Sequence, residues 1–110
     1  MTSIKNETAN KRISGKATSE QIEAWKKEHG SIYEIIVDDK ACYLKKFSRQ
    51  ALSHGLELLR GDVLDFGEAM AENNWIDGDK DIYKDPEYLV PLSNKLAAII
   101  NDKKADWVKY

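Results

Sequence analysis

The sequence predicts an α+β domain, one antiparallel β-hairpin packed with three to five α-helices behind a flexible N-terminal tail. Three observations carry that expectation. Two runs rich in β-branched and aromatic residues, 32–37 and 41–47, are separated by Asp38-Asp39-Lys40, the composition and length of a hairpin link. On either side, apolar residues recur at spacings of three and four behind Ser, Thr or Asp, the pattern of capped amphipathic helices. A chain of 110 residues supplies enough apolar surface for one core and too little for two.

Residues 1–17 show no hydrophobic period and are rich in Lys, Ser, Thr and Asn, which predicts a flexible basic tail ahead of a single domain at 18–110. Thr18 opens the first helix: with Gln21 it forms a capping-box pair, Ile22 and Trp25 share a stripe, and Gly30 ends it. In the hairpin, pairing Val37 with Cys42 sets Ile35 opposite Leu44. On the other face it sets Ile36 against Tyr43, Glu34 against Lys45 and Ile32 against Phe47. Both faces are then partly apolar, so one needs helices and the other a second cover or a partner.

Ser48 caps a helix over 49–60 whose stripe is Leu52, Leu56 and Leu59, and Gly61 stops it. Asp62 opens the next, with Val63, Phe66 and Met70 inward and Gly67, Ala69 and Ala71 permitting close approach of a neighbour. That helix is expected to fray at Asn73-Asn74-Trp75, and 76–84 reads as a polar, Asp-rich loop. Asp85-Pro86 resembles a cap with proline at the first helical position; Pro91 predicts a short turn up to Val90 and a separate helix over Leu92, Leu96, Ile99 and Ile100.

Composition removes several function classes. The 42% hydrophobic and 33% charged fractions fit a soluble domain, and no apolar run approaches the roughly 18 residues of a membrane span. The polar N-terminus has no apolar h-region, so a cytoplasmic protein is expected. Charge is uneven: Lys5, Lys11, Arg12 and Lys16 face Glu7 alone within 1–17, while 61–89 holds nine acidic residues against Lys80 and Lys84. A net charge of −2 and that acidic region argue against nucleic acid, although Lys40, Lys45, Lys46 and Arg49 lie near Tyr43 and Phe47.

No catalytic or cofactor motif is present, and no cofactor is expected. The phosphate-loop, dinucleotide and nucleophile-elbow patterns are absent. One cysteine, Cys42, permits neither an intrachain disulfide nor a multi-cysteine zinc site, and neither His29 nor His54 has a sequence-near ligand or catalytic partner. Asp77-Gly78-Asp79-Lys80-Asp81 invites a calcium reading. With Asp77 first, however, the required glycine falls on Ile82 and the closing glutamate on Tyr88. The candidate partner-binding residues are therefore Ile32, Ile36, Tyr43 and Phe47 on the hairpin, with Trp75 at the margin because it follows a helix end rather than a core stripe.

Tyr43-Leu44-Lys45-Lys46-Phe47-Ser48-Arg49, the leucine helix after it, the Asn73-Asn74-Trp75-Ile76 break and the terminal 92–100 helix resemble the small tail assembly chaperones of phages and prophages. The likeness spans about residues 20–101. It implies a non-enzymatic protein that holds the tape measure protein, often as a homo-oligomer, while the tail tube polymerises. The long basic N-terminal segment and Pro91 depart from that pattern. The alternatives are an adaptor or regulatory module of a mobile element using the same surface, and a small hydrolase or transferase whose groups converge from distant parts of the chain.

Overall fold

The hairpin forms and gains a third strand. The computed structural model describes the backbone of residues 12–108 and the side chains of residues 12–100. Helix α1 (Ser19–His29) leads into β1 (Ile32–Val37) and β2 (Lys40–Lys45). Helices α2 (Arg49–Leu59) and α3 (Val63–Asn73) follow, then β3 (Trp75–Gly78), a one-turn α4 (Asp81–Lys84) and a long α5 (Pro86–Val108). The sheet is antiparallel in the order β1-β2-β3. The chain is thus α+β, and among the described residues no helix is long and apolar enough to cross a membrane.

Local chemistry explains the helix starts. Thr18 accepts from the Gln21 amide at 3.2 Å while Gln21 Oε1 accepts from the Thr18 amide at 2.9 Å, a reciprocal pairing of otherwise orphan donors. Ser48 Oγ accepts from Ala51 N at 3.0 Å, and Asp62 Oδ1 from Leu64 N at 2.8 Å. Asp85 does the same for Glu87 N at 3.0 Å, ahead of Pro86 at the first helical position.

The hairpin link is shorter than expected. Asp38 and Asp39 alone make the turn, Asp38 taking the left-handed region at φ 56°, and Lys40 joins β2 opposite Val37. The register therefore differs by two residues from the expected one: Ile35 faces Cys42, Ile36 faces Ala41 and Glu34 faces Tyr43. Because side chains alternate with period two, a two-residue shift keeps every residue of β1 and β2 on its expected face, whereas Phe47, beyond the end of β2, turns to the inner side. Tyr33, Ile35, Cys42 and Leu44 point into the core; Glu34, Ile36, Ala41 and Tyr43 occupy the opposite, outer face.

Three further expectations are corrected. Asn74 does not fray: its side-chain amide donates to Met70 O at 2.9 Å, and residues 75–78 pair with the free side of β2, so the start of the Asp-rich loop is a strand. Its remainder carries α4, whose Ile82 and Tyr83 are buried. Pro91 lies inside one continuous α5. An interior proline costs about 3 kcal/mol, but Leu92, Leu96 and Ile100 of the same helix are buried, each contributing about 1.5–3 kcal/mol. Pro91 and Glu87, whose carbonyl loses its helical partner, are both exposed, so the lost bond lies on the solvent side of the helix rather than in the core.

The core lies between the inner face of the sheet and helices α3, α4 and α5, around Leu44, Phe66, Met70, Ile82, Leu92 and Leu96. The most extensive helix pairing is α3 on α5. There Gly67 sits directly against Ser93, with no room for a Cβ, as the small residues of α3 anticipate. Leu52, Leu56 and Leu59 of α2 cover the core from the side and remain half-buried.

Residues 12–17 do not form a loose tail. They cross the sheet as a strap: Ser14 N donates to Asp39 O and Ala41 N to Ser14 O, both at 2.8 Å, and Gly15 takes φ 87° where a Cβ would sit 2.7 Å from Ala41 O. Residues 1–11, the rest of the expected tail, lie outside the described residues.

Candidate binding surface

The outer face of the hairpin, expected to seek a partner, is largely closed by the chain itself. Trp25 of α1 lies over Tyr43 with ring centroids 5.2 Å apart, and Ala17 N donates to the Tyr43 hydroxyl at 3.1 Å. That hydroxyl donates in turn to Glu34 Oε2 at 2.7 Å, which also accepts from Lys16 Nζ at 2.8 Å. The hydrogen bonds from Lys16 and then Tyr43 hold the Glu34 carboxyl below the usual range and raise the Lys16 ammonium above its own. Burial is the main cause lifting the Tyr43 phenol.

The five candidate contact residues consequently do not share one surface. Tyr43 is fully buried beneath α1 and the strap, and Phe47 turns into the inner core against Tyr33 at 4.9 Å; neither is presented to a partner. Both were expected on an exposed face because periodicity assigns a side chain to a face without showing what covers it. Trp75 is half-buried in β3, edge-on to Tyr83 at 5.2 Å. Ile32 is half-buried on the outer face, and Ile36 on the same face is 42% exposed. Burial of Tyr43 and Phe47 also removes the two rings that base stacking would have used.

What the side-chain pattern missed is the strand edge. Val37 and Lys40 close a two-residue link and are hydrogen-bonded to each other, as in hairpins of that length, and so are Ile35 with Cys42 and Tyr33 with Leu44. The alternate residues Ile32, Glu34 and Ile36 then aim their N–H and C=O groups away from β2. The partner strand bears this out from its other side: Ala41 bonds Ser14 and Asp79, and Lys45 N donates to Asn74 O at 2.8 Å. Among the described residues β1 pairs with β2 alone, so the outward groups of those three residues have no strand beside them. The signal was available in the hairpin's length, which fixes bonding phase, but only once the link is known to be two residues.

No known protein family, curated protein or solved structure matches the chain.

The other chemically reactive groups are engaged elsewhere. Cys42 is fully buried on the inner face, and burial pushes its thiol up to about 12, far from the thiolate needed for nucleophilic work at neutral pH. Asp79 is turned toward the strap: Oδ2 accepts from Ser14 Oγ at 2.6 Å and Lys40 Nζ at 3.2 Å, and Oδ1 from Asp81 N at 3.0 Å. The Ser14 bond is the main cause holding that carboxyl low. Asp77 Oδ1 accepts from the neighbouring Gly78 N, and among the described residues no three His, Cys, Asp or Glu side chains converge as a metal site. His54 borders an open groove of about 530 Å³ with Lys45, Lys46, Ser48 and Asn73.

Proposed function

We propose that this chain is a non-enzymatic protein-binding and assembly protein, acting as a tail assembly chaperone that holds a tape measure protein. The observation that carries the reading is the outer edge of β1, where, among the described residues, no strand pairs with the outward backbone groups of Ile32, Glu34 and the exposed Ile36. Such an edge is a template on which another chain can add a strand, and monomers that do not use it blunt it with proline, bulges, charged side chains or covering segments. Neither proline nor a bulge interrupts Ile32–Val37.

The tail role itself rests on the resemblance of residues 20–101; the edge supports the wider class of protein binding. A chaperone of this kind covers aggregation-prone segments of an elongated client until the tube protein replaces it. Co-expression with the product of an adjacent, very long reading frame, followed by affinity capture and mass measurement of the complex, tests the proposal. A stoichiometric complex with that product is expected. A chain that co-purifies with no adjacent gene product, or that lies beside no such frame, removes the tail role.

A further inference from the structure

We infer that the β1 edge is read by an extended strand of a different protein, one that carries a basic side chain opposite Glu34 and aliphatic side chains opposite Ile32 and Ile36. This inference rests on the protein-binding reading above and names the chemistry of its partner. The outward backbone groups of Ile32, Glu34 and Ile36 demand an extended backbone, since only a strand offers donors and acceptors at that two-residue repeat. The side chains of the same three residues define what lies beside it: two aliphatic positions flank one carboxylate.

Glu34 supplies the charge term. Lys16 and Tyr43 both bond its Oε2, while Oε1 accepts no hydrogen bond among the described residues, and the side chain remains 37% exposed. The carboxylate is thus held in a fixed position with one acceptor oxygen open at the strand's edge. A Lys or Arg on an added strand completes it with a charge-assisted bond.

The same geometry disfavours a second copy of this chain. An antiparallel two-fold pairing that uses all three outward residues centres on Glu34 and sets it against Glu34 of the second copy, and like charges directly opposite are destabilising. A register shifted by two residues places that carboxylate against Ile36 of the second copy instead, which adds an apolar neighbour and no donor for Oε1.

Backbone amide spectra of the isotope-labelled full chain, titrated with the peptide Thr-Val-Thr-Lys-Thr-Ile-Thr and with its Lys-to-Glu counterpart, test the assignment. The Lys peptide is expected to shift the amides of Ile32, Glu34 and Ile36, slow their exchange, and bind about tenfold more tightly than the Glu peptide. Methylating its Lys backbone nitrogen should abolish binding. Glu34→Lys should reverse the preference, and the milder Glu34→Gln should erase it, with circular dichroism showing both variants folded. Equal affinity for the two peptides, no binding at millimolar concentration, or protection of other amides overturns the inference. So does concentration-dependent protection of the same three amides in the chain alone, which would make a second copy the occupant. A client captured by co-expression whose binding withstands Glu34→Lys and Ile36→Asp leaves the protein-binding reading standing and removes the strand-edge chemistry. Capture of no client removes the reading, while the peptide titration still decides the edge.

Discussion

Gly67 of α3 lies flush against Ser93 of α5, and the Ser93 hydroxyl, fully buried, has no hydrogen-bond partner among the described residues. The contact sets how closely the two main core helices approach, and it makes the two positions opposite in their tolerance. Gly67→Ala inserts a methyl where only the hydroxyl fits and should destabilise by about 1–3 kcal/mol despite the better helix propensity of alanine. Ser93→Ala removes an unsatisfied polar group and should be neutral or stabilising by up to about 1 kcal/mol. Urea unfolding midpoints read both, and a neutral Gly67→Ala would mean that the helices separate freely.

Tyr43 gives a graded test of how the outer face is closed. Tyr43→Phe keeps the packing under Trp25 and loses the bonds to Glu34 and Ala17, for an expected cost of about 0.5–1.5 kcal/mol. Tyr43→Asp places a charge in a fully buried site and should unfold the chain or destabilise it by more than about 3 kcal/mol. Thermal melts of the two variants should therefore diverge; similar melts would show that α1 leaves the face readily.

Pro91→Ala restores an amide donor at an exposed helical position and should stabilise by about 1–3 kcal/mol, less whatever the proline contributes by restricting the unfolded chain. Chemical denaturation measures it. A destabilised variant would show that the proline ring makes a packing contribution larger than its backbone cost.

Stability should form a plateau with pH and fall at both ends. Glu34 and Asp79 have folded values below their ordinary 4.5 and 3.8, so their contribution is complete above those values and is lost as pH falls through the folded ones. Lys16 and Lys40 are raised above 10.5, so their contribution is complete below that pH and is lost as pH rises through the folded values. Tyr88, held up to about 12 chiefly by its hydrogen bond to Asp39, loses stability for the folded state as pH climbs past its ordinary 10.0. Cys42, lifted by burial from its ordinary 9.0 to about 12, loses stability for the folded state in the same direction, so a denaturation series from pH 3 to 11 should be flat only between about 5 and 8. Replacing Glu34 by Gln should soften the acid limb and also remove the Lys16 share of the alkaline limb, since the bond to Glu34 is what raises Lys16; an unchanged acid limb would contradict the assignment.

Much of this architecture was legible because local chemistry and tertiary structure agree. Thr18, Ser48, Asp62 and Asp85 all cap where their side chains suggest, and the hairpin faces survived a register error because the error was even. β3 was hidden because its polar Asp77-Gly78 is held by pairing with β2, a contact thirty-odd residues away that no local pattern encodes. The strap at 12–17 was hidden for a similar reason: a few hydrogen bonds and one ion pair order it, and no hydrophobic period marks them. The candidate surface was the least legible part. Tyr43 and Phe47 look like contact residues by type, yet α1 and the turn of the chain after β2 enclose them.

The lone thiol of this protein doubles as a reporter. With Cys42 sealed at the centre of the sheet, an alkylating reagent reacts only when β2 parts from its neighbours. The native chain thus carries its own label for the rate at which the sheet opens, and a bound strand or client that slows that opening would register as delayed modification without any engineered probe.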